Sequence, residues 1–161
     1  MQNETERFAG VVKLGVDVGK KRIGVAKVEP NSTFAYDIDT VTLENDDRGV
    51  ESITELVHEN GAGLVYVGLP LSLSGENSEL TNYVIDWAEE LCEVVDAEIR
   101  LCDERFSSSV AHSKLFEAGR KSKKHRKVID RCAAREILQN ALDFEAQNGK
   151  LSGVKYDEAC R

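Results

Sequence analysis

Several absences narrow the class of this 161-residue chain before any motif is read. No run approaches the roughly 18 apolar residues that a bilayer span needs, and no charged-then-apolar signal segment opens the chain. A soluble protein without membrane contact, working in the cytoplasm, is therefore expected. The four cysteines, Cys92, Cys102, Cys132 and Cys160, show none of the paired short spacings of zinc or redox sites. In a chain of ordinary core-forming composition that argues against a disulfide framework and for a reducing compartment. The three histidines, His58, His112 and His125, lack ligand spacing and none is nominated for catalysis. There is no internal repeat and no low-complexity tract. Positive charge is also scarce, with 21 basic against 29 acidic residues and a net charge of −8, which argues against a generic polyanion binder.

That scarcity is uneven. Arg120, Lys121, Lys123, Lys124, Arg126 and Lys127 place six of the 21 basic residues within eight positions, leaving 15 basic against 29 acidic elsewhere, a net of −14. Charge runs are usually solvated loops, but this one is concentrated enough to meet a polyanion.

The length suits one domain with a single core. Residues 1–10 are polar and without periodicity and read as a flexible N-terminal extension. Val11 to Val18 and Arg22 to Val28 are β-rich runs joined through Gly19, Lys20 and Lys21, the pattern of a hairpin, and Thr33 to Thr42 adds a third strand after the turn at Pro30-Asn31-Ser32. The period then changes. Asp46 or Asp47 can cap a helix with Val50, Ile53 and Val57 on one face and Gly61 as its stop. Leu64 to Gly68 is a short apolar strand. After a loop from Leu69 to Asn77, the spacing of Leu80, Tyr83, Val84, Trp87, Ala88 and Leu91 predicts an amphipathic helix. Ala97 to Cys102 is the fifth strand, a helix is expected from the serines 107 to 109 to Gly119, the basic loop follows, and a last helix runs from about Val128 to Glu145. Three hairpin-linked strands followed by strands that alternate with helices give a mixed five-stranded α/β sheet, first antiparallel and then parallel, with helices on both faces. The folded domain spans 11–145. The 146–161 tail has too few apolar residues for a further element.

Three carboxylates sit where apolar elements end or turn inward. Asp17 lies in the strand Leu14-Gly-Val-Asp-Val18, where burial costs free energy unless a cation or donor compensates. Glu104 lies just beyond the strand ending at Cys102, at the carboxyl end where open α/β sheets build their sites. Asp130 starts the stripe continued by Ala133, Ala134, Ile137 and Ala141, so it is expected to point at the sheet. Each has a plainer explanation. Asp17 can open a turn, Asp103 and Glu104 can pair with Arg105 or stay solvated, and Asp130 suits a helix start through the macrodipole. A shared cause for all three is a bound cation that relieves their repulsion, and oxygen-only donors suit Mg²⁺ or Mn²⁺ rather than zinc.

The motifs Gly15-Val-Asp17-Val-Gly-Lys-Lys-Arg22-Ile-Gly24, Val67-Gly-Leu-Pro-Leu71 and Asp103-Glu-Arg105, then the basic segment leading into Val128-Ile-Asp130, resemble the YqgF/RuvX family over about residues 12 to 144. The resemblance implies an RNase H-like fold and a metal-dependent nuclease that hydrolyses phosphodiester bonds in 5′-end processing of pre-16S rRNA. It implies catalytic and metal-ligating roles for Asp17, Glu104 and Asp130. Its partners would be structured RNA or branched DNA, with ribosomal precursor particles among them. Expected nucleic-acid contacts are Lys21, Arg22, Arg105, Ser107, Ser108, Lys123, Lys124, Arg126 and Lys127. The serines are first of all helix caps, though a helix start also attracts phosphate. The same resemblance also implies, as the alternative, a Holliday junction resolvase-like DNA endonuclease, and a nucleic-acid-binding module of this fold without turnover stays open. A sugar-kinase or actin-like ATPase, which Asp-Val-Gly in a first strand also suits, would need two such domains and a longer chain.

Overall fold

The computed structural model describes residues 4–72, 74–104 and 123–156, with the side chains of the last segment from Ala133 onward. In chain order the elements are α1 (Glu4–Phe8), β1 (Val12–Val18), β2 (Arg22–Val28), β3 (Tyr36–Thr42), α2 (Val50–Asn60), β4 (Ala62–Leu69), α3 (Glu79–Val94), β5 (Glu98–Asp103), α4 (Lys123–Asn148) and β6 (Val154–Lys155). The sheet order is β3-β2-β1-β4-β5-β6. The first three strands pair antiparallel, β1–β4 and β4–β5 pair parallel, and β6 returns antiparallel on β5.

Alternation along β1 divides the core into two. Val12, Leu14, Val16 and Val18 join Ile53 and Val57 of α2 and Val84, Trp87 and Leu91 of α3 on one face. The other face carries Leu64 and Tyr66 of β4 against Ala134, Ile137, Leu138 and Ala141 of α4. Helices thus cover both faces of a mixed sheet, as the element order predicts.

Four local expectations need correction. The sheet has six strands, because the tail turns back at Gly153, buries Leu151 and pairs Val154 with Leu101. Arg100 holds that segment, donating from Nε to the Ser152 carbonyl at 2.7 Å and from its guanidinium to the Gly153 carbonyl at 3.0 Å. Within the N-terminal extension, Glu4–Phe8 forms a one-turn helix. The first residue before α2 is Gly49 at φ +84°, a left-handed position that favours glycine, and Asp47 instead accepts the Gly49 N–H at 2.9 Å. Finally, α4 begins at Lys123, so much of the basic segment is helical rather than loop. The expected helix over 107–119 lies outside the described residues.

The far end of α4 is fastened by a buried ion pair. Lys13 Nζ donates to Glu145 Oε2 at 2.7 Å while Tyr66 Oη donates to Oε1, so both carboxylate oxygens of a nearly inaccessible Glu145 are satisfied. Burial, then the Glu145 carboxylate, push the Tyr66 hydroxyl well above its ordinary value. Near the middle, Gln139 spans to the β2–β3 connection, accepting the Ala35 N–H at 3.0 Å and donating to the Thr33 carbonyl at 2.8 Å. These ties fix where α4 crosses the sheet. Among the described residues no helix is long and apolar enough to cross a membrane.

Candidate metal and nucleic-acid site

Asp17 lies on the α4 face of β1, opposite to Val16 and Val18, and is half-buried. Its antiparallel partner on β2 is Gly24. On the other side, the Val16–Val67 pairing brings the next β4 residue, Gly68, alongside it, and Gly68 pairs in turn with Cys102 of β5. The carboxylate therefore stands in a row of the sheet with a glycine as neighbour on both sides. Neighbouring strands lie about 4.8 Å apart, and without side chains at those two positions nothing rises from them to crowd Asp17.

Glu104 reaches into this space. A Cβ added at Gly68 would lie 3.6 Å from the Glu104 carboxyl carbon and 2.5 Å from Ile137 Cδ1. Alternation accounts for the direction. Leu101 belongs to the core under α2 and α3, Cys102 borders the core under α4, and β5 ends at Asp103, so Glu104 follows Cys102 onto the Asp17 side.

The path of α4 sets where the backbone of Asp130 lies. Glu145 meets Lys13, and Ala134 and Leu138 meet Gly15, so the helix runs antiparallel to β1. Going from Gly15 to Asp17 on β1 thus corresponds to going from Ala134 toward Asp130, one turn earlier in α4. The Asp130 side chain is outside the described ones. Among the described residues no three His, Cys, Asp or Glu side chains form a metal-binding group. The two carboxylates that are described form an oxygen-only donor set, which fits a hard divalent cation.

The expected nucleic-acid contacts divide in the same way. Lys21 is exposed in the β1–β2 turn, which the Gly19 N–H closes on the Arg22 carbonyl at 3.0 Å, and the Lys21 carbonyl accepts from Leu43 at 2.9 Å. Lys21 and Arg22 thus stand at the carboxyl end of β1, within five residues of Asp17. Lys123, Lys124, Arg126 and Lys127 occupy the start of α4, and their side chains are outside the described ones. Arg105, Ser107 and Ser108 lie outside the described residues altogether. At the same rim Lys20 and Arg48 both approach the ring of Tyr83, at 5.4 Å and 4.9 Å from its centroid. Tyr83 also packs against the core under α2 and α3, as its place in the helical stripe predicts, while its spacing gives no sign of the two cations.

Cys102, in the row with Asp17 and Gly68, is no candidate nucleophile. Desolvation pushes its thiol up to about 12, overriding the hydrogen bond toward Ser152 and the nearby Arg100 charge, which act the other way. Alkylation needs the thiolate. Cys102 is accordingly expected to stay unmodified in native protein at pH 8 and to react only on unfolding, read by mass of its tryptic peptide; labelling at the rate of a free thiol would show that its thiol is not raised.

Residues 11–144 match the family model RuvX, described as Holliday junction resolvase. A Leifsonia xyli protein named "Putative pre-16S rRNA nuclease" is 41% identical over 142 residues, covering 88% of this chain and 92% of its own length. A Mycobacterium ulcerans protein of the same name is 39% identical over 146 residues, covering 90% and 84%. In structure, Thermus thermophilus RuvC matches with a TM-score of 0.57 at 14% identity, over 89% of this chain and 99% of that one, and RuvC in complex with Holliday junction substrate matches at 0.56. The RuvC likeness establishes the RNase H-like fold.

Proposed function

Because this chain belongs to the RuvX family, we propose that it is a metal-dependent nuclease that cuts phosphodiester bonds in precursor 16S rRNA, with Asp17, Glu104 and Asp130 as its metal ligands and catalytic residues. The observation that carries the proposal is that the Glu104 carboxyl group lies over Gly68, the residue alongside Asp17 in the sheet, with the backbone of Asp130 one turn beyond the Gly15 crossing. Two carboxylates facing one space repel unless a cation joins them. Mg²⁺ or Mn²⁺ fits that donor set, and the chemistry such a pair of ions supplies when bound is activation of water and stabilisation of the leaving oxygen. The chain's own part is to fix the carboxylates in position, with no side chain at Gly24 or Gly68 rising beside Asp17. The working unit is residues 11–145, its sheet extended by β6 from the tail.

Holding a polyanion against a body of net −14 is the task assigned to the cations at the start of α4. A helix N-terminus carries partial positive charge, so Lys123, Lys124, Arg126 and Lys127 stand where cations are disfavoured and an anion is welcome. Replacing Lys123, Lys124 and Lys127 by Ala is expected to weaken binding to all sequences alike. The slope of log affinity against log salt should fall by about 0.7 to 0.9 for each phosphate that these side chains no longer neutralise. A triple variant with the wild-type slope would move the binding surface to Lys20, Lys21 and Arg22. Structured RNA within ribosomal precursor particles, in the cytoplasm, is the proposed target.

The deciding experiment is cleavage of a panel, namely single-stranded RNA, structured precursor rRNA and four-way DNA, each with Mg²⁺ or Mn²⁺ and with chelator. Metal-dependent cutting of precursor rRNA is expected. Cutting of four-way DNA alone would make the chain a junction resolvase, and binding without cutting would make it a binding module.

A further inference from the structure

A recess of about 400 Å³ opens beside Glu104, between α4 and the β5–β6 edge. Glu104, Cys102, Ile137, Asn140, Phe144 and Val154 are among its walls. It persists because β6 pairs with β5 over only two residues and the chain turns into β6 through Gly153 at φ +70°. A side chain could not be added at Gly153 without meeting the Leu101 carbonyl at 2.5 Å and Cys102 Sγ at 2.9 Å, so the turn stays close to the strand.

The walls select a ligand. Phe144 and Val154 are 37% and 44% exposed, an aromatic ring and an aliphatic side chain left facing water. Asn140 lies one turn before Phe144 on α4, is exposed, and makes no side-chain hydrogen bond among the described residues. Among the described residues no Lys or Arg lines the recess, and the carboxylates of Asp103 and Glu104 disfavour a phosphate there. A flat group with apolar faces and a hydrogen-bonding edge suits it. An Asn amide, with both donor and acceptor, is a natural partner for such an edge.

We propose that this recess binds one unstacked nucleobase of the substrate strand, stacked on Phe144 and held at its edge by Asn140, next to the phosphodiester at Asp17 and Glu104. The proposal rests on the nuclease reading for the position of the strand. It adds the substrate class: nucleic acid single-stranded or unpaired at the nucleotide flanking the cut, since a base within a continuous duplex cannot turn into the recess.

Binding in chelator tests it without requiring turnover. Affinities of wild type, Phe144→Ala, Phe144→Tyr and Asn140→Ala are compared on a single-stranded oligonucleotide and on a duplex of equal length. Phe144→Ala is expected to weaken single-strand binding about tenfold or more, as removal of one base–aromatic stack does, and to leave duplex binding unchanged. The salt slope should stay at the wild-type value, because every phosphate keeps its cation. Phe144→Tyr keeps the stack and should bind as wild type. An oligonucleotide carrying one abasic site should lose affinity for wild type at one position and for Phe144→Ala at none. Single-strand affinity unchanged in both Ala variants, or equal losses on single strand and duplex, would overturn the proposal. A wild type that binds through Phe144 but cuts no member of the panel would refute the nuclease reading and leave this site standing.

Discussion

Asp17→Asn protein is expected to keep its fold and lose cleavage by about a thousandfold or more. The carboxamide has nearly the same shape and stands in the same row between Gly24 and Gly68, so packing has little reason to change. What it lacks is the charge proposed to hold a cation. Metal assistance is worth several kcal/mol of transition-state stabilisation, and each 1.36 kcal/mol is tenfold in rate. Glu104→Gln should follow Asp17→Asn closely, because that carboxyl group faces the same space across Gly68. Asp103→Asn should cost far less, because β5 alternation directs Asp103 to the face of Leu101 rather than of Cys102. Thermal unfolding supplies a second readout. The rise in Tm on adding Mg²⁺ or Mn²⁺ should vanish in Asp17→Asn, while the metal-free variant should be as stable as wild type or more so, one of two facing carboxylates having been neutralised. Wild-type turnover by purified Asp17→Asn protein would remove Asp17 from the site, and a larger loss for Asp103→Asn than for Glu104→Gln would mean that β5 had been read in the wrong register.

Much of this arrangement is legible in the residues. The two-residue period of Val12–Val18 and the turn at Gly19 locate the hairpin, and Gly61 at φ +60° ends α2 as a glycine stop should. The start of α4 is not legible by the same means. Periodicity is read from apolar spacing, and Lys123 to Lys127 contains no apolar residue, although Lys and Arg are good helix formers in themselves. The cap of α3 escapes notice because its box is Ser78 with Thr81 rather than with Glu or Gln, the Ser78 Oγ accepting the Thr81 N–H and the Thr81 Oγ1 accepting the Ser78 N–H. β6 has two exposed residues and no local pattern. It is a strand because Arg100, some fifty positions earlier, binds the carbonyls that precede it.

The site divides along the same line. Carboxylates at the ends of apolar strands announce themselves, which is why Asp17 and Glu104 stand out in the sequence. The space between them does not. Gly24 and Gly68 lie in the motifs, yet only strand register reveals that they flank the same carboxylate. Likewise Phe144 and Asn140 continue an ordinary helix until α4 is seen to share a recess with the end of β5. Long-range pairing carries this information, and spacing along the chain does not.

Gly15 is where that long-range geometry is most exposed to a single change. The residue is buried in β1 directly beneath α4, and an added Cβ would lie 2.6 Å from Leu138 Cβ and 2.9 Å from the Ala134 carbonyl oxygen. Neither atom belongs to a flexible side-chain tip, so relief requires the helix itself to move. Overpacking of this kind typically costs about 1–3 kcal/mol, and Gly15→Ala is expected at the upper end of that range in urea unfolding, with Gly15→Val worse. Activity should fall further than stability explains. A displaced α4 carries with it Asp130, the proposed third ligand, and a misplacement of about 1 Å is enough for a hundredfold loss of rate. At a temperature where Gly15→Ala is fully folded, kcat should therefore still be down by about that factor. Leu138→Ala cannot rescue it, because the clash is with the Cβ that alanine retains. Gly10→Ala is the matched control, since a Cβ there meets nothing within 4 Å, and it should unfold and cut as wild type does. If Gly15→Ala were as active as Gly10→Ala under folded conditions, the crossing of α4 over β1 would not be what sets the third carboxylate in place.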